Sequence, residues 1–153
     1  MSRKTIILLF LLIAAPVIIY FLWPSDESRI QKLFRKGAGA IEKKDLDAVM
    51  SKVSFNYRDE HGMSYIHIKE MMKSVFQRTD NLKIEYDNLK INVKADKTAT
   101  AEMDIRIVAT IATDKGYILG DSTNPVHLQF TLEKERTKWL LTGTEGLPFV
   151  YSQ

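Results

Sequence analysis

Within five consecutive residues, Tyr57-Arg58-Asp59-Glu60-His61, the chain sets a phenol, a guanidinium, two carboxylates and an imidazole. A histidine near an aspartate is suited to acid–base work at neutral pH, because small changes of environment move the imidazole pKa across that range. The same kind of string is frequent in loops that only turn the chain and start a helix, and turn structure is the expected role here. Ligand or partner contact comes next, and catalysis last. Tyr57, Asp59 and His61 are therefore candidate contact residues. Tyr86 joins them because its parity is that of Leu82 and Ile84, so its ring is expected to pack inward with its hydroxyl at a rim. No residue is assigned a catalytic role.

Spacing disposes of the other chemistry. Asp104 shares its parity with Glu102 and Arg106, the polar side of a strand. His61 and His67 are six residues apart, not the i, i+4 spacing of one helical face, and His127 falls on a polar strand side. No metal site follows from that pattern. There is no glycine-rich phosphate loop and no nucleophile elbow, and no cofactor is implied. Met50, Met63, Met71, Met72 and Met103 suit either a plastic apolar pocket or, more simply, core filling. The absence of cysteine removes disulfides and thiolate chemistry.

The elements that must position these groups begin with helices. Ser25 or Asp26 is placed to cap a helix with Ile30, Leu33, Phe34, Ala38 and Ile41 on one face. Gly37 and Gly39 weaken that helix, and close backbone packing is their expected use. Asp45 caps a short second helix with Leu46, Val49, Met50 and Val53 inward, and Ser64 caps a third from Tyr65 to about Arg78. From Leu82 the apolar period becomes two. Leu82, Ile84 and Tyr86 have one parity and Leu89, Ile91 and Val93 the other, which predicts a bulge or bend near Asp87-Asn88. After a turn at Ala95-Asp96-Lys97, the run Ala99, Ala101, Met103, Ile105, Ile107, Ala109 and Ile111 alternates with polar residues, the mark of an antiparallel sheet covered on one face. Asp114 to Asn124 reads as a loop. Val126 to Leu132 reads as a strand, Glu133 to Lys138 as a turn, and Trp139 to Thr142 as a final strand. Phe149-Val150-Tyr151 is a candidate short edge.

Ahead of this domain, Thr5 to Trp23 runs for nineteen residues without a charged side chain. As a helix it spans about 28 Å, close to the thickness of a bilayer's hydrocarbon core. The expected division is a cytoplasmic N-terminus at 1–4, a transmembrane helix at 5–23 and a soluble domain at 24–153. A cleaved signal is the rival reading, but the one small pair, Ala14-Ala15, is followed directly by Pro16. Arg3 and Lys4 favour the cytoplasmic side, which sends the domain to the periplasmic or extracellular side of a bacterial inner membrane. Without those two, 20 basic residues face 19 acidic ones, so the basic pI hides a nearly balanced domain. No basic stripe interleaved with aromatics appears, and nucleic-acid binding is not expected.

Helices followed by a long bent antiparallel sheet make an α+β domain. Over about residues 26–146 the chain resembles the nuclear transport factor 2-like superfamily, which includes SnoaL-like and ketosteroid-isomerase-like domains. The resemblance is carried by Glu42-Lys43-Lys44-Asp45-Leu46-Asp47-Ala48-Val49, by Phe55 to Ser64 opening the third helix, by Thr98-Ala99-Thr100-Ala101, and by Lys138-Trp139-Leu140-Leu141-Thr142-Gly143. It implies three N-terminal helices packed on a strongly curved sheet, a cone with an apolar pocket at its mouth, and a loop at 57–61 closing that mouth. Superfamily members include enzymes, ligand binders and protein adaptors, so the fold leaves function open. The favoured reading is a membrane-anchored, noncatalytic module that contacts an envelope protein, a second copy of itself, or a small apolar ligand. The alternative is a small pocket enzyme of isomerase, dehydratase or hydrolase type that uses the Tyr57–His61 cluster.

Overall fold

The computed structural model describes residues 3–148. Helix α1 (Arg3–Leu22) contains Pro16 and buries none of its residues against the rest of the chain. It is long and apolar enough to cross a membrane. After three intervening residues begins α2 (Asp26–Glu42), where the Ser25 side chain accepts from the Ser28 backbone N–H at 3.1 Å. Asp26 and Glu27 in the first turn complement the helix dipole. Asp45 caps α3 (Leu46–Met50) through the Ala48 N–H, and Ser64 opens α4 (Tyr65–Arg78) in a capping box whose return partner is His67.

Five strands follow among the described residues: β1 (Asp80–Val93), β2 (Thr98–Ile111), β3 (Asp114–Leu119), β4 (Val126–Glu135) and β5 (Lys138–Glu145). The sheet is antiparallel in the order β1-β2-β4-β5. β2 is the spine. β1 pairs along most of its length, β4 takes residues 98–105 of its other edge, and β3 takes residues 107–111. The expected slip in β1 lies between Asp87 and Lys90, where Asn88 adopts φ 56°. It restores the inward face after Tyr86 and adds bend.

Ala99 and Ala101 on β2 are small and buried. Ile30 packs on them with Leu132 and Trp139. A second cluster joins Met50, Val53, Tyr57 and Ile68, and a third joins Met103, Ile105 and Leu128. The far end of α2 is pinned to β1 by Glu42, whose carboxylate accepts from the Ile84 N–H at 3.0 Å. Next to it, the Lys44 ammonium meets Asp80 at 2.8 Å.

Three local expectations need correction. Asp114 to Leu119 is strand β3, not loop. Its first four residues are exposed, so no burial pattern marked it; it forms because the last third of β2 leaves an edge to pair with. The turn read from Glu133 to Lys138 shrinks to Arg136-Thr137, with Arg136 at φ 56°. Gly37 and Gly39 serve no close backbone contact. A Cβ on Gly37 would meet only the Lys52 Cδ at 3.5 Å, and one on Gly39 would meet nothing within 4 Å. The candidate edge at 149–151 lies outside the described residues.

Candidate functional site

Between α2, α3 and the inner face of the sheet lies a cavity of about 160 Å³. Leu33, Phe34, Gly37, Ala38 and Ile41 form its helical wall, Val49, Lys52 and Val53 one end, and Ile84, Tyr86, Met103, Ile105, Phe130 and Leu141 the sheet side. The cause is visible in α2. Gly37 and Ala38 carry little side-chain volume into this space, and a Cβ on Gly37 would meet only the Lys52 Cδ, so helix and sheet leave a gap between them. Tyr86 and Lys52 are the polar residues of that wall, and it contains no carboxylate and no imidazole. Lys52 donates to the Ala48 carbonyl at 3.0 Å. Burial, then the neighbouring Lys36 charge, holds its ammonium below the ordinary lysine pKa.

Tyr86 thus lines the cavity, whereas the 57–61 loop lies elsewhere. Tyr57 is only 3 % exposed and belongs to the second core cluster. Burial raises its phenol pKa above the usual value, the Thr144 hydroxyl opposes that shift, and the Asp59 charge adds to it. Asp59 builds a turn. Its Oδ1 accepts from the backbone N–H of His61 at 2.9 Å and of Met63 at 2.8 Å. Its buried Oδ2 has no hydrogen-bond partner among the described residues. The His61 Nε2 lies 3.2 Å from the Leu147 carbonyl, and Glu60 accepts from the Gly146 N–H at 2.7 Å. The loop is therefore fastened to β5 and the segment after it; Tyr57 packs with Val53, which lines the cavity, but no residue of 57–61 does. The bond from the Arg58 N–H to the Thr142 carbonyl, 3.0 Å, continues that attachment.

Asp104 sits on the outer sheet face, as its parity requires. Its carboxylate accepts from the Asn88 side-chain amide at 2.7 Å and meets the His127 Nδ1 at 2.8 Å. Hydrogen bonding by Asn88 and then His127 keeps its pKa below the usual carboxylate range. His67 is engaged with Ser64 at the α4 cap. Among the described residues no group of acidic, histidine or cysteine side chains is arranged to hold a metal ion.

The polar loop holds the conspicuous side chains, whereas the cavity's helical wall is marked only by small and apolar ones. The signal was present in Gly37-Ala38-Gly39-Ala40, a run of small residues along a helix. Read as room left beneath the helix, rather than as close packing, it locates the pocket.

No family model matches the chain, and no curated protein matches its sequence. Solved structures do match. A candidate aromatic ring hydroxylase from Novosphingobium aromaticivorans superposes with a TM-score of 0.66 at 16 % identity, covering 78 % of this chain and 85 % of its own. A candidate scytalone dehydratase from the same organism gives a TM-score of 0.65 at 8 % identity, covering 82 % and 89 %. A chain designated Rd1NTF2 gives 0.54 at 15 % identity, covering 78 % and 97 %. Such low identities speak for architecture alone. Helices laid on a curved antiparallel sheet, with a cavity between them and neighbours of this kind, give the domain the nuclear transport factor 2-like fold.

Proposed function

We propose that this chain is a membrane-tethered, noncatalytic module whose domain holds a small apolar molecule at the cell envelope. The observation that carries the reading is the cavity wall: apolar on nearly every side and without a carboxylate or imidazole to move a proton. A cavity near 150 Å³ lined by aliphatic and aromatic side chains stays dry and accepts a molecule of benzene size. The exposed, apolar α1 supports the tether, and Arg3 and Lys4 support a domain on the periplasmic or extracellular side. Two structural neighbours carry enzyme names. Acid–base chemistry of that kind needs a proton-transferring group within hydrogen-bond reach of the ligand. Here the Tyr57–His61 cluster is fastened to β5 instead, and the cavity's own titratable groups are the Tyr86 phenol and the Lys52 ammonium, the latter donating to the Ala48 carbonyl.

The test is to extract the full chain from native membranes in mild detergent and identify co-purifying small molecules by mass spectrometry, beside an Ala38→Leu variant. An apolar compound held by the wild-type chain and absent from the variant is the expected result. A wild-type chain that carries no such compound, and is isolated with a stoichiometric protein partner, would overturn the ligand reading.

A further inference from the structure

A second concavity, about 560 Å³, lies beside the first and is lined by cations from three elements: Arg29, Lys32 and Lys36 of α2, Lys52 after α3, and Lys138 of β5. No acidic residue lines it, and none of the five is within ion-pair distance of a carboxylate among the described residues. Two nearby carboxylates have their direct bonds elsewhere, Asp26 with Lys134 at 2.8 Å and Glu135 with the Ser54 hydroxyl at 2.6 Å, although the Asp26 charge still reaches Arg29. In a domain whose charges nearly balance, this is local segregation of positive charge. At Lys52, burial first and then the Lys36 charge disfavour protonation, and the Asp45 charge opposes them only in part.

Its position matters as much as its charge. Only Trp23, Pro24 and Ser25 separate the last residue of α1 from the first of α2. Four fully extended steps reach about 14 Å, so the start of α2 stays near the bilayer surface wherever α1 spans. Arg29 lies one turn into that helix, with its guanidinium 5.6 Å from the Trp23 ring, an aromatic suited to the interface. The bonds from Lys134 and from the Trp139 indole to Asp26, 2.8 and 3.0 Å, hold the β4–β5 hairpin and its Lys138 against the same first turn.

We infer that this groove docks on anionic phospholipid head groups of the leaflet that α1 leaves, seating the domain on the membrane in one orientation. The inference rests on the tethered reading of α1. Phosphates supply the counter-charge the groove lacks, and cations this close to an anionic surface each add to its attraction. The docked face then presents Leu33 and Lys52, which belong to the walls of both concavities, toward the bilayer.

The test uses the full chain in nanodiscs of purely zwitterionic or of mixed anionic phospholipid, with lysine acylation rates read by mass spectrometry. Acylation of Lys32, Lys36 and Lys138 is expected to slow about threefold or more in anionic discs, a protection lost at high salt. Lys115, exposed on β3 at the other end of β2, is the internal reference and is expected to be unchanged. A chain carrying Lys32→Glu and Lys138→Glu should show no lipid-dependent protection of Lys36, with circular dichroism confirming its fold. Equal rates in both discs, or equal protection by inorganic phosphate added to zwitterionic discs, would overturn the inference. Failure of the chain to stay with the discs after an alkaline wash would instead overturn the tether.

Discussion

Replacing Ala38 by leucine tests whether the space under α2 is a real void. Ala38 lies on the helical wall of a cavity of about 160 Å³. Leucine adds three carbon atoms. At roughly the ~30 Å³ that a water molecule takes up, they fill a little over half of that volume. Burying them contributes about 0.8 kcal/mol each, or about 2.4 kcal/mol, against which ordering the side chain costs about 0.5–1 kcal/mol. Alanine and leucine are both good helix formers, so the backbone adds little. The net expectation is a gain of about 1.5 kcal/mol, or about 5 °C in Tm for a domain of this size. Thermal unfolding of the full chain in detergent micelles, followed by near-ultraviolet circular dichroism, reads it. The same variant should lose most of its affinity for a benzene-sized probe, so stability and binding move in opposite directions. Destabilisation by more than about 1 kcal/mol would mean that leucine overpacks a closed core, and the cavity argument would fail.

Substitutions at three further positions probe what surrounds the site. Trp139→Ala empties a 5 % exposed position beside Ile30 and Leu132 and should cost about 3–5 kcal/mol in urea denaturation, whereas Trp139→Phe should lose about 1 kcal/mol with the indole bond to Asp26. Asp59→Ala strips the acceptor from two backbone N–H groups and should cost about 2 kcal/mol, while Asp59→Asn, which keeps one oxygen, should cost about half as much or less. Equal losses in the two Asp59 variants would show that its charge, rather than its turn geometry, is what matters. For Tyr57 the sign follows from its raised phenol pKa in the folded state: the unfolded chain releases the proton first. Its contribution is intact below about pH 10 and fades as pH rises through the folded value, so Tyr57→Phe should flatten the alkaline fall in stability relative to wild type.

The elements were legible wherever burial wrote a period into the chain. The spacing Ile30, Leu33, Phe34, Ala38, Ile41 and the alternation from Ala99 to Ala109 each describe a face pressed on the other, and the caps at Ser25, Asp45 and Ser64 bounded the helices. The parity change between Tyr86 and Leu89 located the bulge because only a register slip reconciles the two sets. Strand β3 was not legible. Gly116 and Tyr117 are exposed, and the strand depends on an edge of β2 that local sequence does not reveal. The cavity was harder still. An absence of volume under Gly37 and Ala38 is a property of two surfaces that meet only in the fold, and small residues by themselves are equally consistent with tight packing. The Tyr57–His61 string drew attention by its chemistry, yet its hydrogen bonds close its own turn and tie it to β5 and the segment after it, and side-chain types alone carry no such information.

The central claim, a preformed apolar cavity without a carboxylate or imidazole and open to a small ligand, is tested most directly by methyl NMR of the full chain titrated with benzene. Saturable shifts confined to methyl groups of the cavity wall, such as those of Met103, Ile84, Val53 and Leu141, are the expected result. Shifts that never saturate, or that spread evenly over methyl groups away from the cavity such as those of Ile111 and Val93, would contradict it.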